Sequence, residues 1–230
     1  MRKNISRGPI GRNKESLIRA REPIGRSFGL VRGKFPSKKI GRMIHWESQL
    51  ERDTVLLLEF SPGVIRYREQ PFKIHIVLDG KTSRYTPDFE VIRANGEIEI
   101  IEVKPSQIYA DKHEMKRFAQ IKKYFNDQGS EFRIVTEKEI RNEWLLENLK
   151  ILKRFRRGAL SNVQRKILLE KAQGISEIQF GRAQQIFTDC GEVWSLLADG
   201  ILQTDLSREV LPTTTLKINY EGTIDESVYI

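Results

Sequence analysis

Only one cysteine, Cys190, occurs in the 230 residues. A single thiol closes no intrachain disulfide, so packing alone has to hold the fold, and a reducing compartment suits it. Histidine is scarce too. His45, His75 and His113 lie too far apart, and too far from Cys190, to read as a zinc site. No apolar run approaches the ~18–20 residues of a membrane span. The N-terminus is charged and has no apolar stretch of secretory type. A cytoplasmic protein of bacterial, DNA-associated type is the expectation, and no membrane is expected as a partner. Apolar residues make up 39% of the chain, enough for an ordinary core.

What is present in excess is positive charge, and it is unevenly placed. The formal net charge is +9, yet Met1–Arg42 holds thirteen Lys/Arg against two acids, Glu15 and Glu22, a local +11. This stretch is rich in Gly, Ser and Pro and has no sustained apolar period. Residues 1–42 therefore read as an extended basic arm that meets a polyanion, with a solubilising tail as the plainer alternative. Arg26, Arg32, Lys34, Lys38, Lys39 and Arg42 are its candidate DNA contacts. At the other end, residues 219–230 contain Glu221, Asp225 and Glu226 and no base, an acidic tail.

Between these ends the pattern changes twice. His45–Phe60 has helical periodicity, with Glu47, Leu50, Thr54 and Leu57/Leu58 on one stripe and Ser61-Pro62-Gly63 as the stop. Strands are predicted at 64–68 and 72–78, the second alternating Phe72, Ile74, Ile76 and Leu78 with Lys73, His75 and Val77, before a turn at Asp79-Gly80. Arg84–Ser106 reads as two strands joined at Asn95-Gly96 and ended by Pro105. A helix over 111–125, with Met115, Phe118, Ala119 and Phe125 inward, leads to a strand in "EFRIVTE". Strand, helix, strand at this spacing predicts a parallel crossover. A helix with a basic end spans Glu139–Arg157, where Lys153, Arg154, Arg156 and Arg157 are candidate phosphate contacts. Three short helices and a small hairpin then suggest a winged helix, or else a small helical bundle. The expected fold is α/β, a mixed sheet flanked by helices over 43–157 followed by a winged-helix-like domain over 158–218.

The charges in the 84–106 hairpin need a reason. Alternation puts Glu102 and Lys104 on the face begun by Ile98 and Ile100, at the edge of the core. Pairing across the turn brings Asp88 to the same end, opposite Glu102 or one residue off. Two carboxylates so close repel unless a cation neutralises them. A hard divalent ion with oxygen ligands does that, and Mg²⁺ keeps positions for water and phosphate. Asp88 and Glu102 are the candidate metal ligands, with the Val103 main-chain carbonyl as a third and Glu47 as a possible fourth. Lys104 would orient water or offset phosphate charge. Glu47 is suspect because a carboxylate on an apolar stripe needs a partner, and Glu51 is its substitute one turn on. A helix first-turn acid, and an exposed salt-bridged hairpin, are the plainer readings.

Pro87-Asp88 with Glu102-Val103-Lys104 resembles the restriction-endonuclease-like, PD-(D/E)xK, superfamily. "HWESQLERD" at 45–53, "YREQP" at 67–71, "RYTPDFEV" at 84–91 and "IEVKPS" at 101–106 together resemble the TnsA family, the endonuclease subunits of heteromeric cut-and-paste transposases. The close resemblance runs from about Met43 to Phe155. It implies a Mg²⁺-dependent endodeoxyribonuclease, with Mn²⁺ as substitute and one or two ions, that cuts the 5′ ends of a transposon. It also implies double-stranded DNA as substrate, a DDE-type transposase, TnsB, cutting the 3′ ends, and an ATPase regulator, TnsC, docked on the C-terminal domain. Glu47, Asp88, Glu102 and Lys104 carry over as the catalytic set. The best-known member of the family has a glutamine where Glu102 stands, so this chain is closer to the superfamily pattern. A standalone repair or restriction nuclease of the same fold, and an inactive DNA- or partner-docking module, are the competing readings.

Overall fold

Among the described residues, regular pairing begins inside the basic N-terminal stretch, where Gly33–Ser37 (β1) and Arg42–Trp46 (β2) form an antiparallel hairpin. The structure is a computed structural model that describes residues 31–78, 80–156, 161–187, 190–220 and 227–230. Phe35 and Ile44 are buried, and the hairpin is tied down by Glu59. Glu59 Oε1 accepts from the N–H groups of Lys38 and Lys39, and Oε2 accepts from the hydroxyls of Ser37 and Tyr67. The reading of an extended arm through residue 42 therefore fails from Gly33 onward. Residues 1–30 of that arm, Arg26 included, lie outside the described residues.

Helix α1 spans Gln49–Phe60, four residues shorter at its start than periodicity predicts. The β2 strand takes residues 42–46, and the Ser48 hydroxyl caps the helix by accepting the Glu51 N–H at 3.1 Å. Glu47 thus sits in the bend before the helix and not on its apolar stripe. Val55, Leu57 and Leu58 carry that stripe and are fully buried. Next come β3 (Val64–Glu69), β4 (Ile74–Leu78), β5 (Lys81–Tyr85), β6 (Phe89–Arg93) and β7 (Ile98–Val103). β4 and β5 pair only with each other, with Gly80 at φ +78 between them. The β5 strand was not expected: the stretch at 81–85 belongs to this separate hairpin. The β6–β7 hairpin turns at Gly96, φ +86.

After a 3-10 turn at Ser106–Ala110, α2 runs from Lys112 to Asn126, capped by the Asp111 carboxylate. Strand β8 (Glu131–Val135) pairs parallel with β7, so the predicted parallel crossover is present. The sheet order is β3-β6-β7-β8. Phe118, Ile121 and Phe125 of α2 pack with Ile100, Phe132, Ile74, Ile76 and Tyr85. Ala119, read as inward, is exposed, because the buried stripe runs 118–121–125. The Phe125 and Phe132 rings stack 5.9 Å apart. Burying such a ring contributes about 2–3 kcal/mol, and here that energy clamps the helix over β7, whose last residues carry the site. A short helix, α3 (Glu137–Ile140), follows.

The predicted helix over 139–157 is broken at Arg141-Asn142. The Asn142 side chain caps a new helix, α4 (Glu143–Phe155), by accepting the Leu145 N–H. The break is also the boundary between two compact units. The first holds the described residues up to Ile140 together with the 227–230 segment; the second starts at Arg141. The boundary expected at 157 thus moves back, and α4 belongs to the second unit. The 227–230 segment belongs with the first unit: Gly63 N–H donates to Ser227 O at 2.8 Å and Tyr229 N–H to Ser61 Oγ at 2.9 Å. For these residues the reading of a loose acidic tail is corrected, and 221–226 lie outside the described residues.

The second unit continues with α5 (Asn162–Lys171), β9 (Glu177–Gln179), α6 (Phe180–Ile186), α7 (Cys190–Ala198), β10 (Leu202–Gln203) and β11 (Thr215–Ile218). Its antiparallel sheet has the order β10-β11-β9. The predicted ribbon is β10–β11, and β9 adds a third strand that the sequence did not announce. Leu149, Leu152, Val193 and Leu216 form its core, and the Phe180 and Trp194 rings lie 5.4 Å apart. Among the described residues no helix is long and apolar enough to cross a membrane.

Candidate active site

The β6–β7 register pairs Phe89 with Ile101, so one further step sets Asp88 opposite Glu102. That resolves the register the sequence left open. Asp88 is also anchored from both sides: its carbonyl accepts the Gln70 N–H at 2.8 Å, and its Oδ2 accepts the Val103 N–H at 2.8 Å. Lys104, one residue past the end of β7, turns its ammonium back over the strand end. Its Nζ lies 2.6 Å from Glu102 Oε1, 3.6 Å from Asp88 Oδ2 and 3.3 Å from the Val103 carbonyl oxygen. These are the three oxygens expected to hold a metal, and they converge on one cation. The Glu102 side chain is 7% exposed and that of Asp88 18%, so the group sits at the rim of the core and remains open to solvent.

Tyr85 completes the first ring of contacts. Its buried hydroxyl donates to Glu102 Oε2 at 2.5 Å. The sequence reading missed it, since an inward Tyr in a hairpin is more often plain core; the signal was its position three residues before Asp88. Burial, then the charge of Glu102 and this hydrogen bond, push the phenol well above its usual range. It stays protonated and acts as a fixed donor.

Glu51 is a third acid of the cluster. Its Oε2 accepts the Glu47 N–H at 2.7 Å, folding the carboxylate back over the helix start. The Ser48-x-x-Glu51 spacing of a capping box was the legible signal. Burial first, and then the charge of Asp88, push Glu51 up to about 7. The sequence-predicted Glu47 is near enough to add its charge to both Glu51 and Asp88, as the weakest contributor to each.

The electrostatics of the centre follow from burial and crowding. Burial raises Asp88 above the usual carboxylate range, while Lys104 and the Val103 N–H pull it down. Burial and then Asp88 push Glu102 up to about 7, against Lys104 and Tyr85. Burial works to lower Lys104, but Asp88 and Glu102 outweigh it and hold the ammonium above its ordinary range. Several acids thus share one lysine, and the cluster is short of positive charge. A divalent cation fits that deficit and the hard oxygen donors. Among the described residues no three His, Cys, Asp or Glu side chains already stand at metal-holding spacing.

The six basic candidates fare unevenly. Lys34 and Lys38 have exposed positions on the β1–β2 hairpin, and Arg32 is half-buried just before it. The Lys39 ammonium is held by the carbonyls of Leu58 and Ser61 at 2.8 and 2.6 Å. Arg42 forms a two-pronged pair with Glu69 at 2.8 and 2.7 Å. Both serve the fold. Lys153 and Arg154 are exposed at the end of α4, and Arg157 lies outside the described residues.

Residues 61–137 match a family model described as TnsA-like endonuclease N terminal. The matched span contains Tyr85, Asp88, Glu102 and Lys104 and begins after Glu47 and Glu51. No curated protein gives a significant match to the chain. The strand-end cluster of Asp88, Glu102 and Lys104 thus falls inside the span that is similar to a TnsA-like endonuclease N-terminal domain.

Proposed function

We propose that this protein is a metal-dependent endodeoxyribonuclease that hydrolyses phosphodiesters at the 5′ ends of a transposon. The observation that carries the reading is the convergence of the Asp88, Glu102 and Val103 oxygens on one cationic centre. Asp88, Glu102 and the Val103 carbonyl would hold Mg²⁺, or Mn²⁺ in its place, with Glu51 or Glu47 completing the set. When bound, the ion polarises the phosphodiester and lowers the pKa of a coordinated water. The chain's own groups do the positioning. The Val103 N–H fixes Asp88, the Tyr85 hydroxyl fixes Glu102, and Lys104 supplies positive charge for the phosphate in the transition state.

The proposed transposase setting rests on the resemblance to the TnsA family: a DDE-type transposase, TnsB, processing the 3′ ends, and an ATPase regulator, TnsC, docking on the second unit. The order of that unit after α4 supports a winged-helix-like domain: helix, strand, two helices, then a two-strand ribbon. The test is cleavage of cognate transposon ends with and without the transposase, using wild type and Asp88→Ala. Transposase-dependent 5′ cuts that vanish with Asp88→Ala support the reading. Efficient cutting of arbitrary DNA by the chain alone would indicate a standalone nuclease, and unchanged excision by Asp88→Ala would remove the catalytic assignment.

A further inference from the structure

The β4–β5 hairpin has two unlike faces. Inward, Ile74, Ile76 and Tyr85 are buried in the core against α2. Outward, the register pairs His75 with Arg84 and Val77 with Thr82, and all four are exposed. Lys73, just before β4, and Lys81, at the start of β5, are exposed as well. Among the described residues no ion pair or side-chain hydrogen bond engages Lys73, His75, Lys81 or Arg84.

Several arginines of this unit are instead held by carboxylates. Arg42 is paired with Glu69, Arg68 with Glu90, Arg93 and Arg133 with Glu99, and Arg117 with Glu114. The hairpin by contrast sets three permanent cations on a short ribbon, and Asp79 is the one acid in the sequence between Phe72 and Pro87. Nor do these cations serve the core, whose contacts are made by the opposite face. The ribbon is fixed in place rather than free: Tyr85 is rooted on Glu102, and the chain leaves β5 to reach Asp88 three residues later. A rigid cationic ribbon joined directly to a phosphodiester-cutting centre is charge-complementary to a DNA backbone.

We propose that the outward face of the β4–β5 hairpin binds the phosphate backbone of duplex DNA beside the cleavage site, through Lys73, Lys81 and Arg84. The contact is sequence-independent, because it offers charge to phosphates and not a shaped set of donors to base edges. It rests on the nuclease reading for the nature of the ligand.

The test uses the full chain without divalent metal, so that binding is read apart from cleavage. Binding of a labelled duplex of arbitrary sequence is followed by fluorescence anisotropy across a salt series. Wild type is compared with Lys73→Gln/Lys81→Gln/Arg84→Gln and with a control triple on α2, Lys112→Gln/Lys122→Gln/Lys123→Gln. Each lost phosphate contact flattens the slope of log K against log salt by about 0.9, so the hairpin triple should lose about 2–3 from the slope and bind on the order of 100-fold more weakly near 0.1 M salt. The control should keep most of the wild-type slope. All three side chains are exposed, so thermal melting and Mn²⁺ binding should stay at wild-type values. An unchanged slope in the hairpin triple overturns the proposal, and so does an equal loss in the control, which would mark a general charge effect. If the wild type shows no salt-dependent duplex binding, the hairpin proposal falls; if it also binds no Mn²⁺ through Asp88, the nuclease reading falls with it. Mn²⁺ binding that survives separates the two failures.

Discussion

The Tyr85 hydroxyl donates a 2.5 Å hydrogen bond to Glu102 Oε2, on the carboxylate whose other oxygen meets Lys104 at 2.6 Å. Both oxygens of Glu102 are therefore held, one by a neutral donor that stays protonated and one by a cation. Tyr85→Phe keeps the buried ring and removes only the donor. Outer-sphere partners of this kind are worth about 10–100-fold in metal affinity or activity. Mn²⁺ titration by calorimetry should show affinity reduced by that order, with the fold intact by circular dichroism. Unchanged affinity would make Tyr85 a core residue and nothing more.

On the proposed reading, Lys104 and a metal ion would compete for the same oxygens. Its ammonium already touches the carboxylates of Glu102 and Asp88 and the Val103 carbonyl. Lys104→Met should therefore separate binding from chemistry: Mn²⁺ binds several-fold more tightly, while cleavage in the reconstituted reaction falls by about 100-fold or more, the scale of a lost transition-state charge partner. Equal loss of binding and cleavage would mean that Lys104 builds the site instead of competing for it.

The acid from the helix start is the next question. Glu51 feels Asp88 directly after its own burial, whereas Glu47 is the weakest contributor to both Glu51 and Asp88. Glu51→Gln should weaken Mn²⁺ binding and cleavage more than Glu47→Gln does. The reverse order would restore the assignment that periodicity alone suggests.

The reason periodicity misplaced Glu47 is physical. A 3.6-residue pattern does not mark where a helix starts; the cap does, and here Ser48 and the strand before it decide. Alternation and turn chemistry are local, so β6, β7 and the strand-end meeting of Asp88, Glu102 and Lys104 were legible. The β1–β2 hairpin was not, because what holds it is remote: Glu59 and Tyr67 for its turn, Glu69 for Arg42. A basic stretch with no apolar period reads as a loose arm when its acids lie some twenty residues onward. β5 escaped for a related reason, since its outward face is polar and its one inward aromatic belongs to the site. The Asn142 cap that splits α3 from α4 was plain in the letters, but a capping Asn inside a continuous helical pattern is easily read through.

Stability should report the crowding of the carboxylates. Glu102 is pushed up to about 7 in the folded protein, against 4.5 as its ordinary value. The folded state thus binds the proton more tightly than the unfolded chain between these limits, and the metal-free fold loses stability as pH rises from about 4.5 through 7. One buried group shifted this far accounts for about 3 kcal/mol at most, and coupling to Asp88 spreads it between them. Lys104, raised from 10.5, keeps its stabilising contribution throughout this window and does not oppose the fall. Chemical denaturation of metal-free protein at pH 5.5 and 7.5 should therefore give lower stability at the higher pH. Glu102→Gln should shrink that difference, because the neutral amide does not titrate, and leave the share that Glu51, also pushed up to about 7, contributes. Saturating Mg²⁺ should also shrink the difference, adding about 2.7 kcal/mol at a hundredfold excess over Kd where the site is charged. A pH difference that Glu102→Gln leaves untouched would place its origin in the other raised carboxylates, Glu51 first among them.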